Sequence, residues 1–488
     1  MSLFFWAFGV IGILLFHEGI YLPIVVSATL IGLAAGHLIR LYQKSRVGPL
    51  TMLLFLVYAL PFIHVFPYIW FDFGTESPLL LWGFPVNPYM TDKSIIELMS
   101  MIGAVGAAGF VAGTSLLQRK LPKAPSSEVL GRYRAPGKTV SIHVFLALIA
   151  IAIALSWISA PAETLFTAAY AQSQSLHSNW NFSTAWMFSY ALLVYALADS
   201  MFEPSARIGK LKRKLVLYSI LLIVIWFQLL RGDRESLPLV LAALLMYFVW
   251  GNRLFGSAKN RVKLKWPMMI LLVFVVFVAS YFVMTMRFWL AGVGSISDLL
   301  TIISELGRAG AIGFDNLLSG TWSGVLLTPL SVAGDYINGS LPLKYGQTYL
   351  DLFASLPPGF FADWIGYTRP IDTLRGPAWE MIYGGGGIHA VVVPFIDFRM
   401  AGVFIIVALW SFAFVKIEHY SLKGQSVSKL ALLGIIATAI PHWLWYGEKN
   451  IMNALIIWLV LSVLYRVRLS ATRVISMGRP YQTSKSSF

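Results

Sequence analysis

Residues 215–250 read LVLYSILLIVIWFQLL, then RGDRE, then Ser236 and LPLVLAALLMYFVW. Two apolar runs, Leu215 to Leu230 and Leu237 to Trp250, are thus joined by Arg231, Gly232, Asp233, Arg234 and Glu235 with almost no spacer. A helix rises ~1.5 Å per residue, so each run approaches the ~30 Å thickness of a bilayer's hydrocarbon. The pattern is that of a membrane hairpin with a charged turn. Charges at or within a bilayer are costly, so they normally pair or face protein or water, and they mark a functional site by default.

Outward from this hairpin the same alternation fills the chain. Of its 488 residues 58% are hydrophobic and 12% charged, and the mean hydropathy is +0.72, far from the habit of soluble domains. The expected class is an all-α polytopic membrane protein with about 12 transmembrane helices. Apolar runs fall near 2–16, 19–39, 48–67, 94–117, 141–159, 184–201, 215–230, 236–251, 266–286, 400–415, 430–446 and 451–466. The first residues, Met1-Ser2-Leu3-Phe4, offer no basic region ahead of the apolar run, so no removable signal peptide is expected.

The net charge of +15 raises the question of nucleic acid, which requires basic residues gathered on one exposed face. Here they sort by loop instead. Arg40, Lys44 and Arg46 form one group, the stretch from Arg119 to Lys138 a second, Arg207 to Lys214 a third, Arg253 to Lys265 a fourth, Lys416 to Lys429 a fifth, and Arg466 to Lys485 the tail. Neighbouring groups are separated by two expected crossings, so all lie on one side, which the positive-inside rule makes cytoplasmic. Both termini are then cytoplasmic and nucleic acid is no partner. Among the acids, only Glu128, Asp199, Glu203 and Glu418 fall in or beside these inner loops. Cysteine is absent, which removes disulfides, thiolate metal sites and thiol nucleophiles, and no cofactor is expected.

The expected organisation is nine spans over 1–286, a large outer loop over 287–399, three spans over 400–466, and a basic tail over 467–488. Loops as long as 287–399 usually carry function. Within it Ile296 to Leu306 and Tyr349 to Leu356 read as short amphipathic helices, and the aromatic residues from Phe360 to Trp379 point to contact with lipid headgroups.

Two constellations carry chemistry. The first is Arg231, Asp233, Arg234 and Glu235, at the outer end of the hairpin. Arginine's planar fork suits a phosphate or pyrophosphate through bidentate, charge-assisted hydrogen bonds, whereas the bland alternative is a hairpin whose arginines pair with their own carboxylates. The second lies in the long loop: Arg369, Asp372, Arg375, Glu380, then Gly384 to Gly387 and His389. Successive glycines permit close backbone approach around a ligand, or serve as a plain joint. Glu380 and His389 are the natural proton acceptors, against the alternative of a hydrogen-bonded structural histidine. Arg287 and Arg308 add positive charge on the same side, with an i,i+3 ion pair between Glu305 and Arg308 as the simpler reading. His442 and Glu448 are weaker candidates.

These features resemble the multispan polymerases of bacterial surface polysaccharides, the O-antigen or oligosaccharide repeat-unit polymerases. The likeness rests on the Arg-Gly-x-x-Arg turn at Arg231 to Arg234, the large outer loop, and the exit of that loop from Gly385-Gly386-Gly387-Ile388-His389 through Pro394-Phe395-Ile396-Asp397-Phe398. In that family a glycine-rich turn precedes a short membrane-entering helix ending in Asn-Phe-Gly. Asp397 stands here at the Asn and Arg399 at the Gly, and Pro394 where an acid is often found. The resemblance implies a GT-C-like glycosyltransferase of the bacterial inner membrane, inverting and metal-independent, with its active site facing the periplasm. It implies polyprenyl-pyrophosphate-linked oligosaccharides as substrates, with membrane lipids, a chain-length regulator and a flippase as partners. In this frame Arg231, Arg234, Arg369, Arg375, Arg287 and Arg308 serve the pyrophosphate, Glu380 or His389 activates the acceptor hydroxyl, and Asp233, Glu235, Gly385, Gly386, Gly387 and Asp397 support them. A glycan ligase and a lipid-linked-sugar transporter are the rival readings.

Overall fold

The computed structural model describes residues 1–81, 87–117, 139–158, 180–203, 207–230, 236–250, 296–308, 321–357, 364–368, 390–423 and 426–477, with a few single positions between them. Every described element is helical and no strand occurs among the described residues. In chain order the main helices are α1 (Ser2–His17), α2 (Ile24–Gln43), α3 (Pro49–Ala59, running on as a 3₁₀ segment Leu60–Ile69), α4 (Lys93–Ser115), α5 (Ile142–Ile158) and α6 (Trp180–Met201). They continue as α7 (Arg207–Val224), α8 (Leu237–Leu244), α9 (Ile296–Arg308), α10 (Thr321–Ile337), α11 (Gln347–Ala354), α12 (Val392–Lys423), α13 (Val427–Tyr446) and α14 (Glu448–Met477). α7 and α8 each end in a π-helical turn, Ile225–Leu230 and Leu245–Trp250.

Each expected apolar run coincides with a described helix, except that near 266–286, which lies almost wholly outside the described residues. Among the described residues, five stretches are long and apolar enough to cross a membrane: Ile24–Gln43, Pro49–Ile69, Lys93–Ser115, Val392–Lys423 and Glu448–Arg466. Ser2–His17, Ile142–Trp157, Ala185–Met201, Leu237–Trp250, Val325–Ile337 and Val427–Trp443 are shorter apolar helices. Around them Leu3, Leu14, Tyr218, Leu221, Ile405, Leu409 and Leu464 stand exposed, the distribution of a membrane protein, whose apolar outer face meets lipid. α9 and α11 match the two amphipathic helices expected in 287–399. Between them α10 has no counterpart in the sequence reading. Gly324, Thr328, Pro329 and Gly334 interrupt its hydropathy, yet Val325, Leu326, Leu330 and Ala333 are buried, and it packs on α4 and on the 3₁₀ segment after α3.

α4 is the hub, buried along nearly its whole length and packed against α12, α2, α1 and α10. Its sequence explains this, because Gly103, Gly106, Gly109 and Gly113 remove side chains from the faces its neighbours approach. A Cβ on Gly109 would lie 2.4 Å from the Phe404 carbonyl oxygen, and one on Gly113 2.0 Å from that of Ala408. α4 and α12 therefore touch backbone to backbone. Asp92 starts the helix, its carboxylate accepting from the N–H groups of Ser94 (2.9 Å) and Ile95 (3.2 Å).

Three of the acids that interrupt the basic inner loops find partners in the fold. Glu418 is fully buried and caps α3 from α12, accepting from Leu50 N–H (3.0 Å) and Thr51 Oγ1 (3.1 Å), with Trp250 Nε1 at 3.4 Å. Positively polarised helix N-termini favour a carboxylate, and α3 has no side-chain cap of its own. Asp199 pairs with buried Lys212 (3.5 Å) and accepts from Val140 N–H (3.1 Å) and Tyr465 OH (2.9 Å), while Glu203 stands 4.0 Å from the same lysine. Lys212 also donates to the Val140 carbonyl (2.6 Å). The knot ties α6, α7 and α14 to the entry of α5, and its mutual satisfaction is what makes such burial tolerable. Glu128 lies outside the described residues.

Candidate functional site

Most of the expected site lies outside the described residues: Arg231, Asp233, Arg234, Glu235, Arg287, Arg369, Arg375, Glu380, Gly384 to Gly387 and His389. The structure does describe what flanks them. Residues 231–235 follow the π-helical turn Ile225–Leu230 in the chain, and after them Ser236, the N-cap of α8, is fully buried, its Oγ without a hydrogen-bond partner among the described residues. π-helical turns concentrate at functional sites because they carry one residue more than the helical repeat accommodates. Arg308 is exposed on α9, as is Glu305, and no ion pair joins them.

The loop exit is described in full from Ala390 onward. α12 begins with a short buried stretch, Val392 to Ile396, and breaks at Arg399, whose φ of 57° and ψ of −148° are non-helical. This region is nearly reserved for glycine, since a Cβ collides with the flanking backbone there, and it costs on the order of 1–3 kcal/mol. The guanidinium holds it in place. Nη2 donates to the Leu341 carbonyl at 2.7 Å, and the group lies over the rings of Tyr336 (5.1 Å) and Phe395 (5.7 Å). Nη1 is buried without a partner among the described residues.

Two residues earlier, Asp397 is fully buried. Neither carboxylate oxygen meets hydrogen-bond geometry with a described donor, although Thr348, the N–H groups of Thr348 and Tyr349, and the Lys344 ammonium are its nearest polar neighbours. These groups form the entry to α11. Gly346, at φ 86°, turns the chain into that helix beneath Phe398, where a Cβ would meet the ring at 2.8 Å. Lys344 N–H reaches the Ile396 carbonyl (3.3 Å) and Tyr349 stacks on Phe398 at 6.3 Å. The Tyr349 hydroxyl in turn donates to buried Glu448 (3.1 Å), in the first turn of α14. Asp397, Arg399, Lys344, Tyr349 and Glu448 thus converge where the long loop re-enters the bundle.

Nearby, the Tyr89 hydroxyl donates to Asp335 at 3.2 Å and accepts from Asn338 at 3.4 Å. Desolvation, with the Asp335 charge, raises this phenol above its ordinary pKa, so it remains a donor. The His442 ring lies 3.3 Å from the Thr438 carbonyl and edge-on to Trp186.

Sequence reasoning singled out Asp397 but not Arg399, Lys344 or Tyr349. The available signal for Arg399 was the resemblance of residues 397–399 to an Asn-Phe-Gly ending, whose last position tolerates a positive φ. Replacing it separates the two contributions. Arg399→Ala loses the guanidinium contacts and retains the backbone strain, while Arg399→Gly loses both. Thermal unfolding of the purified protein should therefore rank Ala below Gly by about 1 kcal/mol, and the reverse order would mean that the break is unstrained.

Comparison with protein families, with curated proteins and with solved structures found no match to this chain.

Proposed function

We propose that this chain is a membrane glycosyltransferase of about 12 spans and GT-C-like architecture that polymerises lipid-linked oligosaccharide repeat units into a bacterial surface polysaccharide. The observation that carries the reading is the break in α12: the polymerase family's glycine position falls on Arg399, which adopts a glycine-type conformation two residues after a fully buried carboxylate. The reaction takes place on the outer face of the inner membrane, with both termini cytoplasmic. Arg231 and Arg234, helped by Arg369, Arg375, Arg287 and Arg308, hold the donor pyrophosphate and stabilise it as it departs. A hydroxyl at the non-reducing end of the incoming lipid-linked unit attacks the anomeric carbon of the growing glycan. The bond from that carbon to the pyrophosphate oxygen breaks with its electron pair, and the hydroxyl proton passes to Glu380 or His389. Asp397 supports the acceptor side of the same loop.

The decisive experiment supplies purified, reconstituted protein with a single lipid-linked repeat unit. A ladder of multimers is the expected product. One transfer to a different acceptor identifies a ligase, and movement across the bilayer without bond formation identifies a transporter.

A further inference from the structure

We propose that α11 and the turn at 364–367 form a foot lying in the headgroup layer, its partner a lipid surface. The inference stands apart from the polymerase reading and holds for any membrane activity of the chain.

α11 turns one edge to the protein and carries two large apolar side chains on its outer edge. Thr348, Leu352 and Ser355, spaced i, i+4, i+7, are buried against the protein. Gln347, Leu350 and Phe353, spaced i, i+3, i+6, face outward, with Leu350 70% and Phe353 55% exposed. A helix bordered by water presents polar residues on its outer edge, so an apolar outer edge calls for a second apolar environment. The turn at 364–367 enlarges the patch. It is tied to α11 by the Tyr367 hydroxyl, which donates to the Ala354 carbonyl (3.1 Å), and it exposes Trp364 and Ile365.

Two observations make lipid the occupant. First, the patch continues a face that already meets the bilayer. Phe398, exposed just before the break in α12, stacks on Tyr349 of α11, and beyond the break Ile405 and Leu409, spaced i, i+4, are exposed on α12. Second, the depth agrees. From Met400 to Lys423 the helix rises about 36 Å, against ~30 Å of hydrocarbon. With Lys423 at the opposite surface, the break at Arg399 and the α11 packed on it lie at headgroup level. Tyr345, Trp364 and Tyr367, all exposed there, are the residue types that concentrate in this layer.

The absence of cysteine makes the test direct. Single-cysteine variants Leu350→Cys, Phe353→Cys and Trp364→Cys, with Ser340→Cys as an exposed reference outside α11 and the turn at 364–367, carry an environment-sensitive fluorophore. They are reconstituted at low density into phosphatidylcholine vesicles brominated high on the acyl chain. Labels at 350, 353 and 364 should be blue-shifted and quenched about threefold more than the label at 340, as for side chains at the acyl boundary. Quenching equal to that at 340 would place the foot in water and overturn the proposal. Disulfide-linked dimers of Leu350→Cys, with quenching that changes with protein density, would overturn it in favour of a second copy of the chain. All four positions are exposed, so size-exclusion profiles matching the parent protein are expected throughout, and a patch label that disturbs the profile argues for protein packing instead.

Discussion

Gly113→Leu is expected to reduce recovery of folded protein by about tenfold or more, because the new side chain has no space to enter. Its Cβ alone would sit 2.0 Å from both the Ala408 carbonyl oxygen and Ser411 Oγ, and carbonyls within a helix cannot swing aside as a side-chain end can. α4 and α12 would have to separate, and α4 is the helix on which α1, α2, α10 and α12 converge. Overpacking costs about 1–3 kcal/mol where the surroundings relax, and a backbone contact relaxes least. Fluorescence-detected size exclusion in detergent reads the outcome. Gly32→Leu is the matched control, since nothing lies within 4 Å of a Cβ there. Equal monodisperse recovery of both variants would show that the α4–α12 approach is not required for folding.

Arg231→Ala and Arg234→Ala are each expected to abolish long-chain polymer at unchanged protein abundance, within the proposed polymerase function. Loss of one donor aimed at developing negative charge costs about 10²–10³ in rate, and a processive chain multiplies that deficit. Lysine at either position should rescue poorly, because an ammonium cannot reproduce the bidentate fork. The competing view is a hairpin whose arginines neutralise Asp233 and Glu235. It predicts that pairing Arg231→Ala with Asp233→Ala restores product, since two partners of one ion pair couple in a double-mutant cycle. Full-length polymer from both single variants would remove the arginines from the mechanism.

Much of the fold is legible in the sequence because hydropathy is local and additive. The runs at 94–117 and 430–446 need no knowledge of their neighbours to be read as helices, and α4 and α13 lie there. α10 escaped because burial in a bundle does not require a continuous apolar run: Thr328 is buried with its apolar neighbours, and Gly334 makes room for Tyr89. The glycines of α4 were in plain view, yet which carbonyls they admit depends on a helix some three hundred residues away. For the site, composition and spacing identify arginines and a glycine run as chemically interesting, and Asp397 as part of the loop exit.

The sequence by itself determined the class, a helical membrane protein, and where along the chain its apolar helices lie, since transfer free energies sum residue by residue over a short window. Tertiary structure decided which charges the protein keeps for itself. Glu418 as the cap of α3, Lys212 between Asp199 and Glu203, and Asp397 buried without a hydrogen-bonded partner among the described residues look alike in sequence, each a charge near an apolar run. Their difference arises from donors brought together by folding. It also decided the break at Arg399, because a positive φ on an arginine persists only where a distant carbonyl, Leu341, and two aromatic rings hold it.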